Sequence, residues 1–207
     1  MIIEPPLMFG AEEKHIICKQ CGKEINIPAT ITVKEFDELP PYIDGFKKGL
    51  EDKYFEYKFF GCDNCGWFFK APRFDKCVYG DKPTEKIKKV LDSNIDVTEK
   101  RCLINYMINK DTNSLLELYW YYDIKAKDEI KAFEYRKELV KILSKVIKQK
   151  PKNFFNELSY IDMLRRNREF EKAIKFMCKN IPESFLTNND ECKLEMKLCK
   201  EKNSDRY

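Results

Sequence analysis

Cys18-Lys19-Gln20-Cys21-Gly22 and Cys62-Asp63-Asn64-Cys65-Gly66 are two copies of one short design. Two residues between cysteines let both sulfurs of a turn reach one metal ion. A glycine after the second cysteine permits the left-handed backbone that such a turn takes. Two such turns supply four thiolates, which complete a tetrahedral shell. One pair alone could be a redox dithiol. Two pairs with strand-like flanks point to one structural Zn2+ held by Cys18, Cys21, Cys62 and Cys65. Two turns without metal, or a redox dithiol pair, are the competing readings.

The 40 residues between Cys21 and Cys62 exceed the roughly 15–20 of a compact four-cysteine template. The pattern is therefore that of a split ribbon with an insertion between its knuckles. A shell of four thiolates leaves no open position for substrate, so the expected role of the ion is folding. Structural zinc supplies roughly 10–16 kcal/mol in small fingers. His15, the one histidine, stands three residues before Cys18 and could replace a ligand. With four better-placed sulfurs it reads as a surface residue or one that touches a ligand from outside.

The flanks of the turns favour strands. His15-Ile16-Ile17 leads into the first pair, and Lys23 to Ile27 alternates polar with apolar. Tyr54 to Phe60 and Trp67-Phe68-Phe69 surround the second pair with aromatic residues. The insertion, broken by Pro40-Pro41, contains a candidate helix near Ile43 to Leu50. Gly80-Asp81-Lys82-Pro83 is the expected boundary. The fold class is thus α+β. Residues 1–80 form a small β-rich split zinc ribbon, and residues 81–207 an all-α domain of helical hairpins.

Helical periodicity carries the second part. Ile87, Val90 and Leu91 share a face, as do Cys102, Leu103, Tyr106 and Met107 behind an Asp96…Glu99 start signal. Leu115, Leu118, Tyr119 and Tyr122 repeat the pattern. The longest helix is expected from about Asp128 to Ile147, with apolar Phe133, Leu139, Val140, Leu143 and Ile147, and Pro151 closing it. Helices near Phe154–Leu164 and Phe170–Ile181, then Cys192–Leu198, complete the set, and the polar Lys202–Tyr207 reads as a frayed tail.

Composition narrows the class. The chain has 207 residues, 36% charged and 43% hydrophobic, too polar for a membrane protein and too apolar for a disordered one. No apolar run approaches the roughly 20 residues of a membrane span, and Met1-Ile2-Ile3-Glu4-Pro5-Pro6 lacks the basic and apolar regions of a signal peptide. The expected location is cytoplasmic. The nine cysteines, an odd number, argue against a disulfide framework. Beyond the four ligands, Cys77, Cys102, Cys178, Cys192 and Cys199 read as core packing.

Charge is uneven: −2 over residues 1–80 and +6 over residues 81–207. A negative ribbon is a poor phosphate binder, so Phe59, Phe60, Trp67, Phe68 and Phe69 are read as core rather than as a base-stacking platform. On the long helix, Lys137, Lys141, Lys145 and Lys148 form one stripe, with Lys150, Lys152, Arg165, Arg166 and Arg168 nearby in sequence. It is either a face for an anionic partner or the solvated side of an amphipathic helix.

Arg165 through Ile174 resembles the inter-helix turn and second helix of a tetratricopeptide repeat. Phe170 stands at the aromatic position and Ala173 at the small one, while Arg168 replaces the usual glycine. No clean 34-residue repeat runs through the chain, and a generic helical hairpin explains the pattern as well. With the CxxCG turns, the long insertion and Tyr54-Phe55-Glu56-Tyr57 ahead of Cys62, the order resembles a bacterial family of uncharacterised proteins. That family joins a split zinc ribbon to a tetratricopeptide-like helical tail. The resemblance implies metal ligation at the four cysteines and no established activity; residues 81–127 fall outside it.

The function expected from these features is a non-enzymatic, zinc-stabilised interaction or adaptor module with a protein partner. The alternative is a nucleic-acid-binding regulator that uses the lysine stripe. No phosphate loop, nucleophile elbow or HExxH supports an enzyme.

Overall fold

The computed structural model describes residues 13–18, 21–28, 55, 59–62, 64–65, 68–70, 84–149 and 153–205. They fall into two compact units, one ending at Lys110 and the other beginning at Asp111. The Gly80–Pro83 boundary, the helix near Ile43–Leu50, Pro151 and Cys77 lie outside the described residues.

In the first unit each CxxC turn joins two antiparallel strands. β1 (Glu13–Ile17) pairs with β2 (Glu24–Pro28), and His15 faces Asn26 in the register. β3 (Phe59–Gly61) pairs with β4 (Phe68–Lys70), and Phe60 faces Phe69. The strand reading of Tyr54–Phe60 is corrected at its start, because Phe55 is helical and buried. Its aromatic, charged alternation fits a buried helical position as well as a strand, and local propensity does not decide between them. Trp67, and the side chains of Phe59, Phe60, Phe68 and Phe69, lie outside the described residues.

Two further helices follow the hairpins among the described residues of this unit. α1 (Glu85–Leu91) starts at Thr84, whose side chain accepts from the Ile87 N–H, and buries Ile87. α2 (Val97–Asn109) starts at Asp96, whose carboxylate accepts from the Thr98 and Glu99 N–H groups, and ends on Lys110 in the left-handed conformation. Cys102, Ile104 and Asn105 are its buried residues.

The second unit is helical throughout its described length. α3 (Thr112–Trp120) is capped by Asp111, and Tyr121–Lys125 continues it as a π-helical turn. Then follow α4 (Glu129–Gln149), α5 (Phe154–Arg166), α6 (Phe170–Asn180), α7 (Glu183–Asn188) and α8 (Asp190–Lys200). α7 lies in a stretch that carries no apolar periodicity, beyond the Pro182 that reads as a stop, and it buries no residue. α4 packs on α3 and α5, α5 on α6 and α8, and α6 on α8. The core gathers Leu115, Leu118, Leu139, Ile161, Leu164 and Met177. No helix among the described residues is long and apolar enough to cross a membrane.

α5 is buried all round: every residue from Glu157 to Arg166 is covered. Arg165 and Arg166 are therefore not part of an anion-binding face. Arg165 is fully buried. Its Nε lies 3.0 Å from both Glu195 oxygens, one terminal nitrogen binds Asp162, and the other donates to the Asn203 and Asp205 carbonyls at 3.0 and 2.7 Å. These last bonds tie residues 203–205 of the expected frayed tail to a buried cation, and residues 206–207 lie outside the described residues.

Arg166 donates to both Asp123 oxygens at 2.8 and 3.0 Å, and Arg136 reaches the same carboxylate at 3.3 Å. The π-helical turn is what aims Asp123 between these two buried arginines. The Tyr119 ring lies under both guanidiniums, at 5.3 and 5.9 Å, while its buried hydroxyl finds no hydrogen-bond partner among the described residues. A buried hydroxyl without a partner costs more than it contributes. Tyr119→Phe is thus expected to be neutral or to stabilise by up to about 1 kcal/mol in urea denaturation. A loss above about 2 kcal/mol would mean that the hydroxyl is bonded after all.

Candidate metal centre

The first turn is built by its own backbone. The Cys18 N–H donates to the Lys23 carbonyl and the Gly22 N–H to the Cys18 carbonyl, both at 2.8 Å. Closing the chain this tightly puts Gly22 at φ +72°, and a Cβ there would meet nothing within 4 Å. Gly22→Ala therefore carries only the conformational cost of a left-handed alanine, about 1 kcal/mol. The loss should appear in thermal unfolding with metal stoichiometry unchanged; a drop in bound metal would show that the turn itself had opened. Gly66, its counterpart, lies outside the described residues.

The two turns meet. The sulfurs of Cys18, Cys21, Cys62 and Cys65 all lie within 4.8 Å of one another and could hold one metal ion. Between the turns, Cys18 Sγ is 3.6 Å from Cys65 Sγ, and Cys21 Sγ is 3.5 Å from Cys62 Sγ. Cys18 and Cys62 are buried, Cys65 is half-buried and Cys21 faces solvent. Hydrogen bonds from the Lys23 backbone and the Asn64 side chain pull the Cys21 thiol down to about 6. At neutral pH its sulfur is a thiolate, the form that binds metal. Burial pushes the Cys62 thiol up.

His15 is exposed, with Nδ1 3.7 Å from the Glu24 carboxylate, and stands outside the sulfur cluster. Of the dispersed cysteines, Cys102, Cys192 and Cys199 are buried, as core packing requires, but Cys178 is exposed. Its place on α6 (Phe170–Asn180), whose only buried residues are Ala173 and Met177, puts it on the solvent side. Burial pushes the Cys192 thiol up to about 11 and that of Cys199 up to about 12, which leaves both inert.

On α4, Lys137, Lys141, Lys145 and Lys148 are all exposed. The Lys137 ammonium lies 4.2 Å from the centre of the Phe133 ring, and Ile130 is 77% exposed. Phe133, expected in the core, sits instead at the edge of this face, and Ala132 and Arg136 take the buried positions of that turn. Sequence reasoning missed the Arg165 and Asp123 ion clusters, which involve no spacing motif. The Asp162/Arg165 pair, three residues apart, was their one local signal. Compared with known protein families, curated proteins and solved structures, the chain matches none.

Proposed function

We propose that the chain is a non-enzymatic, zinc-stabilised interaction module for a protein partner in the cytoplasm. A zinc ion with Zn–S bonds near 2.3 Å has sulfur–sulfur edges of about 3.8 Å in a tetrahedron. The 3.5 and 3.6 Å separations between the turns are close to that edge, and an all-thiolate donor set favours zinc among the common divalent ions. The four thiolates fill the shell, so the ion serves folding. The two hairpins would then be the knuckles of a split zinc ribbon, as in the bacterial family that the sequence resembles.

A tetratricopeptide-like reading of α5 and α6 draws support from the turn between them. Arg168 stands at φ +63°, where the repeat carries glycine, and Ala173 is fully buried. The observation that carries the interaction reading is the exposed face of α4. There Ile130 and Phe133 adjoin four exposed lysines. Apolar side chains in water beside a basic ridge gain from being covered by an acidic, partly apolar protein surface.

The test is cross-linked affinity capture of wild type and of a Lys137→Glu/Lys141→Glu/Lys145→Glu/Lys148→Glu variant, with zinc measured in both. A stoichiometric protein that cross-links to α4 and is lost from the variant supports the reading. A labelled 30-nucleotide RNA that binds wild type at 50 mM salt and is released by 200 mM would favour the nucleic-acid reading instead.

A further inference from the structure

The cysteine cluster contains a second bonding pattern besides the four-to-one arrangement around an ion. Two short sulfur separations join the two hairpins: Cys18 with Cys65 at 3.6 Å and Cys21 with Cys62 at 3.5 Å. A disulfide needs its sulfurs about 2.05 Å apart, so each pair must close by only about 1.5 Å. Each pair also combines one sulfur that solvent reaches, Cys21 or Cys65, with one that is buried, Cys62 or Cys18. Peroxide attacks the accessible sulfur, and the buried partner stands next to it to resolve the product.

We infer that the cluster is a peroxide-oxidisable site in which two cross-turn disulfides, Cys18–Cys65 and Cys21–Cys62, take over the clamp from the metal ion. The inference rests on the zinc reading above. The Cys21 thiolate displaces hydroxide from hydrogen peroxide and becomes a sulfenic acid. The Cys62 thiolate then attacks that sulfur, the S–S bond forms, and a second hydroxide leaves. Two thiolates give up two electrons and one peroxide is reduced. Cys65 and Cys18 repeat the sequence with a second peroxide. The ion, stripped of all four thiolates, leaves as Zn2+.

The pairing decides what oxidation does to the fold. Bonds within a turn, Cys18–Cys21 and Cys62–Cys65, would release the metal and leave the hairpins unlinked. Bonds across the turns close loops spanning 41 and 47 residues and hold the hairpins together without zinc. The metal can thus be discharged while the structure persists.

The experiment uses the full chain as purified, with its zinc content measured first. Hydrogen peroxide is added stepwise, zinc release is followed with a chelating dye, and the disulfides are mapped by mass spectrometry after alkylation. Two equivalents of peroxide should release one zinc per chain, with peptides containing Cys18 and Cys65, and Cys21 and Cys62, linked. Near-UV circular dichroism should survive the release, and thiol reductant with zinc should restore the starting state. Links within a turn, scrambled links, loss of the near-UV signal, or zinc release without disulfides would overturn the inference. Protein purified without zinc would sink the zinc reading alone; mapping of that metal-free chain would still decide the pairing.

Discussion

Serine at Cys62 is expected to abolish metal retention and unfold the two hairpins. Cys62 is buried, and its sulfur faces that of Cys21 at 3.5 Å. Removal of one thiolate from a four-sulfur shell opens the coordination and leaves a buried hydroxyl where a charge was needed. Binding energies of structural zinc, roughly 10–16 kcal/mol, exceed the whole stability of many domains, about 5–15 kcal/mol. On the proposed zinc reading, elemental analysis should fall from one metal ion per chain to none, and hydrogen exchange at β1 to β4 should become fast. Cys178→Ser, which changes an exposed thiol that is not part of the cluster, is the control and should change neither reading. Full metal content in Cys62→Ser would remove this residue from the ligand set.

Arg165→Ala is expected to be the most damaging single change in the helical unit. Burial works against the charge on Arg165, but Asp162 and Glu195 more than offset it and hold its proton more firmly than usual. Without the guanidinium, two buried carboxyl groups lose their cation and the Asn203 and Asp205 carbonyls lose their donor. Breaking a buried pair from one side costs about 3–5 kcal/mol. The urea midpoint should fall accordingly; a loss below about 1 kcal/mol would show that the cluster is solvated.

Glu195→Gln is expected to cost much less, since it keeps an acceptor for Arg165. Burial pushes the Glu195 carboxyl up from its ordinary value of 4.5, against the pull of Arg165. A carboxyl group raised on folding makes the native state the better proton binder. Its stabilising contribution is therefore complete below pH 4.5 and is lost as pH rises through the folded value. In Glu195→Gln that component of the pH dependence should vanish.

The contrast between these residues shows what a sequence can carry. The meeting of Cys18, Cys21, Cys62 and Cys65 was legible because two residues between cysteines bring both sulfurs of a turn to one point, and spacing is written in the chain. Asp96 was legible as a helix start because a cap acts on the next three residues. Arg165 and Arg166 were read as surface cations because charge is buried only when paired, and the partners Glu195 and Asp123 lie 30 and 43 residues away. α5 gave no amphipathic signal to correct that reading, because it has no exposed side from Glu157 to Arg166. Phe133 was misplaced for a related reason: the buried position in its turn belongs to Arg136, held by Asp123, Glu129 and Asn167. No periodicity rule assigns an arginine to a core.

The Arg165 node also sets an order of events on the ribosome. Its acceptors lie 3, 30, 38 and 40 residues from it along the chain, and all but Asp162 are synthesised later. Helix α5 therefore emerges carrying a cation with one nearby counter-charge, and its other acceptors follow 30 to 40 residues later. The cluster around Arg165 is therefore complete only once residues 195 to 205 have been made.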